Sequence, residues 1–220
     1  PNLYGESKKT KKFSKKLRIK NHISYLDSKE VPYLFDKMLF YQELPITSLR
    51  VLSEFKLNNF AKEMGYSVLI SGDGGDHIGG GFKYYWHSIV LDEISNKGIQ
   101  AGKLLENKFL DHFKVKNKKN FISNSIGATI NPGTTTTDGV PYFNTSQYEK
   151  NFLKLNEKKK FIFERPFKSN LLNFQYIDLT YHNLPRVLRM KDRASMANGV
   201  EMRVPLLDSD LIKFSFNLDH

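Results

Sequence analysis

Cysteine is absent from all 220 residues of the chain. Its absence excludes disulfides, thiolate-ligated zinc and any thiol nucleophile, and leaves chemistry to oxygen and nitrogen groups. No apolar run approaches the roughly 18 to 20 residues that span a bilayer, and the lysine-rich start lacks the apolar stretch of a signal peptide. A cytoplasmic protein with no membrane partner is therefore expected. Acids are in deficit, with 23 Asp and Glu against 34 Lys and Arg, for a net charge of +11. Such a surface attracts polyanions. Yet the lysine runs (Lys8, Lys9, Lys11, Lys12, Lys15 and Lys16; Lys114, Lys116, Lys118 and Lys119; Lys158, Lys159 and Lys160) are poor in arginine for bidentate phosphate contacts. They also lack interleaved aromatics for base stacking. Solvated loops explain them, and a basic nucleic-acid-binding protein is carried as the alternative from another class.

Hydrophobic residues make up 40% of the chain, with 17 Phe and 11 Tyr, enough for a packed core in an α/β or α+β domain. Residues 1–20 read as a basic linker or domain edge in which nothing nucleates structure, and residues 21–220 as one partial domain. Helical spacing of Val31, Leu34, Phe35, Met38 and Leu39 predicts a helix over Val31–Tyr41, with Asp27 or Ser28 as its cap. A second helix is expected over Leu49–Met64, stopped by Gly65. The following run, Tyr66 to Ile70, reads as a buried strand of a parallel sheet that leads into glycines. Tyr84 to Phe113 is expected to be helical with interruptions at Gly98 and Gly102, and with Trp86, Ile89, Leu91, Ile94, Leu104 and Leu105 in the core. Residues 131–147 read as an exposed loop. Helical pattern resumes from Phe161 to Leu188, and Pro205 opens a short apolar segment ending at Asp208.

Two segments are dense enough to carry chemistry. The first, SGDGGDHIGGGF from Ser71 to Phe82, holds six glycines that let the backbone turn its amides inward, as a phosphate cradle does. Asp73 and Asp76, three apart, suit a shared pocket in which one carboxylate holds a magnesium ion and the other positions a reacting group. A structural turn and a calcium loop use the same residue types, so the residues alone leave those readings open. His77 is read as a polar tie in the turn rather than a titrating group. The second segment runs from Leu184 to Asp208. Arg186, Arg189, Lys191 and Arg193 gather cations near one helix end, two of them suited to pyrophosphate. Glu201 and Arg203 read as a structural ion pair, and Met190 and Met196 as core fillers.

Together, SGDGGDHIGGGF and DRASMANGVEMRVPLLD resemble the synthetase domain of the asparagine synthase family, over roughly Leu17 to His220. The resemblance implies a Rossmann-like parallel sheet of the ATP pyrophosphatase (adenine nucleotide alpha hydrolase-like) type with a largely helical C-terminal part. It implies ATP and magnesium as cofactors, and aspartate and glutamine-derived ammonia as substrates. Aspartate would become asparagine through β-aspartyl-AMP with loss of pyrophosphate. Relatives that form lactams or amidate surface polysaccharides share the pattern. By the same resemblance Ser71, Gly72 and Gly74 contact the nucleotide, Asp73 occupies the catalytic acidic position, Asp76 holds magnesium, and Lys191 and Arg193 face the pyrophosphate. His77 stands where the family carries Glu, and Asp73 is shorter than the Glu of many members. No SGGxDS phosphate loop occurs. A glutaminase domain is expected upstream and a catalytic-lysine segment after His220, so a fragment or inactive paralogue is expected, with a homodimer left open.

Overall fold

Six lysines crowd the first helix. The computed structural model describes residues 7–46, 48–112 and 163–218, and opens with α1 (Ser7–Leu17). This corrects the expectation that nothing before Lys20 nucleates structure. Unbranched lysine is a good helix former, and the one buried residue of α1, Ser14, accepts a hydrogen bond from Asn21 Nδ2 at 2.5 Å, which ties the helix to the chain beyond it.

Asp27 accepts from the Lys29 N–H at 2.9 Å while Glu30 returns to the Asp27 N–H at 3.0 Å. This capping box closes a 3-10 turn (Ser28–Glu30) that leads into α2 (Val31–Gln42); the helix forms as the sequence predicts, but Asp27 caps the turn before it, and α2 itself has Glu30 at its start without a side-chain cap. Lys56 Nζ lies 2.5 Å from Glu30 and holds its carboxyl below the usual carboxylate range. α3 (Arg50–Glu63) ends on Gly65 at φ +87°, where the Gly65 N–H reaches the Lys62 carbonyl at 2.9 Å and the Tyr66 N–H the Ala61 carbonyl at 3.0 Å. That pattern is a Schellman stop, which glycine alone adopts without strain.

The chain then enters β1 (Val68–Ile70), which pairs in parallel with β2 (Glu201–Arg203), Val68 opposite Glu201 and Ile70 opposite Arg203. The pairing direction is as expected and the burial is not: Ile70 is 77% and Val68 40% exposed. Among the described residues β2 is the one partner of β1, and a two-stranded ribbon cannot cover both its faces. Between the strands lie α4 (Gly75–Ile78), a 3-10 turn (Lys83–Tyr85), α5 (Trp86–Lys97), α6 (Ile99–His112), α7 (Asn170–Thr180) and α8 (Asn183–Met196). After β2 come a 3-10 turn (Pro205–Leu207) and α9 (Ser209–Phe216). The architecture is mixed α/β, mostly helical with a small parallel sheet. No described helix is long and apolar enough to cross a membrane. The predicted loop at 131–147 lies outside the described residues.

The chain divides into two units, residues 1–70 with 189–203 and residues 71–188 with 204–220. The core of the first joins Leu34 and Met38 of α2, Val51, Leu52 and Phe55 of α3, and Ala194 of α8. Met38 and Leu52 are fully buried, each stabilising by about 2 kcal/mol. Met190 packs here as expected, whereas Met196 is 55% exposed. The face of α8 turned to this core runs through Met190 and Ala194 and continues to Ala197 just past its end, and Met196 falls off it.

In the second unit Gly98, at φ +87°, breaks α5 from α6. Gly102 does not interrupt α6, contrary to expectation. A Cβ there would lie 2.1 Å from Ile94 Cγ1, so its glycine serves the close approach of the two helices. Leu104 is 65% exposed, and Phe109 and Leu110 take the buried positions instead. Tyr85, Leu171 and Phe174 centre the core, with Phe82, Tyr84 and Ile89 against them. α7 is seated by Asp92 of α5, which accepts from Ser169 Oγ at 2.7 Å and from the N–H groups of Asn170 and Leu171 at 2.7 and 3.0 Å. A carboxylate there satisfies orphan donors and complements the helix dipole.

Candidate functional site

Ser71 to Gly81 form a tight turn around α4 within the second unit. Gly74 caps α4 at φ +92°, and His77 and Ile78 donate to the Gly74 carbonyl at 3.0 Å each. The Gly79 N–H reaches the Gly75 carbonyl at 2.9 Å and the Gly81 N–H the Asp76 carbonyl at 2.8 Å. Much of the glycine content answers to packing. A Cβ on Gly74 would lie 2.2 Å from Leu207 Cδ2, one on Gly75 2.9 Å from Leu206 Cδ1, and one on Gly81 2.6 Å from Asp76 Oδ1. Gly72 differs, being exposed with nothing within 4 Å of a Cβ. It is the position of the turn at which another molecule could approach the backbone closely.

Ser71 Oγ donates to Asp73 Oδ2, so the serine orients the carboxylate. Asp73 is half-buried and Asp76 is exposed. Both carboxylates act on the His77 imidazole, as does Asp178, which places Asp73 and Asp76 in one electrostatic neighbourhood. No group of three acidic or imidazole side chains gathers for a metal among the described residues. The turn fits magnesium as that ion is usually held, by one or two carboxylates together with substrate phosphates.

His77 acts as the expected tie through its backbone more than its ring. Its carbonyl accepts from Gln175 Nε2 at 2.7 Å, while the ring Nε2 stands 3.5 Å from Asn183 Nδ2 and the ring packs edge-on to Phe82. Burial lowers its pKa, against the opposing pull of Asp178, Asp76 and Asp73. A histidine kept neutral in the fold binds fewer protons than in the unfolded chain, so its contribution is complete above about pH 6.5 and is lost as pH falls below it. Thermal melts from pH 7.5 to 5.5 should therefore show wild type losing more stability on acidification than His77→Phe. Parallel pH curves for the two proteins would refute this.

Behind the turn lies a polar cluster that sequence reasoning missed. The buried Asp178 carboxylate accepts from Tyr84 Oη at 2.6 Å and Tyr85 Oη at 2.8 Å, and meets His182 Nδ1 at 2.9 Å. Burial, with Asp178 beside them, pushes both phenols far above the ordinary tyrosine range, so they stay donors. The available signal was Asn173, Gln175 and Asp178 among the apolar residues of the helix NLLNFQYIDLT.

Lys191 and Arg193 belong to the first unit and are engaged there. Lys191 Nζ, with its side chain only 11% exposed, lies 3.2 Å from Glu54. Arg193 reaches Glu43 at 2.6 Å and the Tyr41 carbonyl at 3.0 Å, and lines an open hollow of about 530 Å³ with Phe40, Tyr41, Glu43, Met196 and Ala197. Arg189 donates to the Gln42 carbonyl at 2.8 Å, a structural tie. Glu201 and Arg203 form the expected pair at 2.9 Å, on the surface rather than buried.

Comparison with known proteins bears on the whole chain. No curated protein and no solved structure matches it. The sequence model of the asparagine synthase family matches residues 2–220. A match over nearly every residue, including both the glycine turn and the strand-forming block that ends at Asp208, shows that the chain belongs to the asparagine synthase family, a family of ATP-dependent, amidotransferase-like ligases.

Proposed function

We propose that the chain is part of the synthetase portion of an amide-forming ligase. In it a substrate carboxylate attacks the α-phosphorus of ATP, pyrophosphate leaves, and ammonia from a glutamine-hydrolysing domain displaces AMP. The finer reading is conversion of aspartate to asparagine through β-aspartyl-AMP, on a parallel sheet of the ATP pyrophosphatase type. What carries this reading is the turn leaving the end of a parallel strand, with Gly72 open and two carboxylates acting on one imidazole. Ligands of α/β sheets bind at that end of the strands.

Each residue then has a task. Gly72 lends its open backbone to the nucleotide, while Gly74, buried against Leu207 with its carbonyl taken inside α4, serves by shaping the turn. Ser71 holds Asp73 in orientation near the reacting carboxylate. Asp76, exposed, is the magnesium ligand, and the bound ion would offset charge that builds on the phosphates as pyrophosphate leaves. The family pattern assigns Arg193 to the pyrophosphate, and it has donors beyond those given to Glu43 and Tyr41. Lys191, nearly buried against Glu54, would have to exchange that carboxylate for phosphate, so its share in this task is the smaller.

Calorimetric titration of Mg-ATP into the full-length protein tests the reading. Saturable binding is expected, weakened about tenfold or more in each of Asp73→Ala and Asp76→Ala, a loss of about 1.4 kcal/mol per decade. Absence of binding by wild type would overturn it. α1 favours a second reading, since its six exposed lysines and lack of acids suit a polyanion. Nucleic-acid binding that falls steeply with salt and ignores both aspartate substitutions would support that reading instead.

A further inference from the structure

α7 buries a glutamine against the turn. Gln175 Nε2 donates to the His77 carbonyl at 2.7 Å and the Ile78 carbonyl at 3.3 Å, and stands 3.8 Å from where a Cβ on Gly80 would lie. The other end of the same amide, Oε1, is buried and has no hydrogen-bond partner among the described residues. Leaving a buried acceptor unmatched is unfavourable, so this orientation is sustained by the two carbonyls that the nitrogen reaches. Those carbonyls immediately follow Asp76, at the C-terminal end of the single helical turn that carries it.

The helix delivering Gln175 is itself held at two places. Asp92 seats its N-terminus, and Asp178, one turn after Gln175, is gripped by Tyr84 and Tyr85. A four-residue helix has too few internal hydrogen bonds to persist alone. Its conformation depends on what latches it from outside.

We propose that Gln175 is a positioning residue for the Ser71–Gly81 turn: its carboxamide clamps the His77 and Ile78 carbonyls and so sets where Asp73 and Asp76 stand. The functional consequence rests on reading that turn as the nucleotide site; the clamp itself does not.

Amide hydrogen exchange on the full chain, without nucleotide, compares wild type with Gln175→Met, which keeps the bulk and removes both donors. Leu171→Ala is the control, since it removes core packing from the same helix and leaves the carbonyls their donor. Protection at Gly79 and Gly81 should fall about tenfold in Gln175→Met and change little in Leu171→Ala. Mg-ATP binding should weaken about tenfold in Gln175→Met. Should that variant not fold, Gln175→Asn, which draws the donor back by one methylene, carries the same comparison. The clamp is refuted if Gln175→Met leaves the turn amides protected, or if Leu171→Ala loosens them equally. Failure of wild type to bind Mg-ATP would strike the nucleotide reading alone, because the exchange comparison still decides whether Gln175 holds the turn.

Discussion

Asp178→Ala is expected to lower the unfolding free energy by about 3 to 5 kcal/mol, the range for breaking a buried charged network. The carboxylate is almost fully buried and serves both phenols and the His182 ring. Truncation takes from Tyr85, itself fully buried, the carboxylate that accepts its hydrogen bond, and opens a void beside it. The cost lies in the orphaned partners rather than in the lost bonds. The triple variant Asp178→Leu, Tyr84→Phe, Tyr85→Phe should therefore recover a large part of the stability, since removing both sides of a buried hydrogen bond can be nearly neutral. Denaturant titration of the two variants checks this. Additive losses across the triple variant would show that Asp178 contributes by shape alone.

The second large effect is at Gly74. Gly74→Ala places a Cβ at φ +92°, a conformation that costs a non-glycine residue about 1 to 3 kcal/mol. That same Cβ meets Leu207 Cδ2 at 2.2 Å and Cγ at 2.5 Å. Leu207 can rotate, but it sits in the 3-10 turn that leads to Asp208, whose side chain caps α9 at the Asp210 and Leu211 N–H groups. A shift of Leu207 disturbs that start. The combined loss should reach about 2 to 4 kcal/mol. Gly72→Ala, outside the left-handed region and with open space around it, should cost less than about 1 kcal/mol. Equal losses at the two positions would mean that the turn tolerates no side chain anywhere, and would remove the basis for treating Gly72 as its open face.

Local signals in the amino-acid order were enough for α2, the glycine stop of α3, the extended run that becomes β1, and the break at Gly98. Each depends on residues within a few positions of one another, whose propensities and backbone hydrogen bonds act before any tertiary contact forms. The two motifs likewise placed the chain in its family without coordinates. Burial was not legible in the same way. Ile70 and Leu104 look like core residues in an apolar run and stand exposed, and Gly102 looks like a helix breaker and is a packing contact. Whether an apolar face is covered depends on what lies across from it. The site divided along the same line. Which residues could bind phosphate and metal was set by residue type and spacing. That Gln175 meets the His77 carbonyl across 98 positions, and that Tyr84 and Tyr85 share one buried carboxylate on α7, was decided only by the packed chain. A buried polar group must find its partner in space, and sequence separation carries no record of which one it finds.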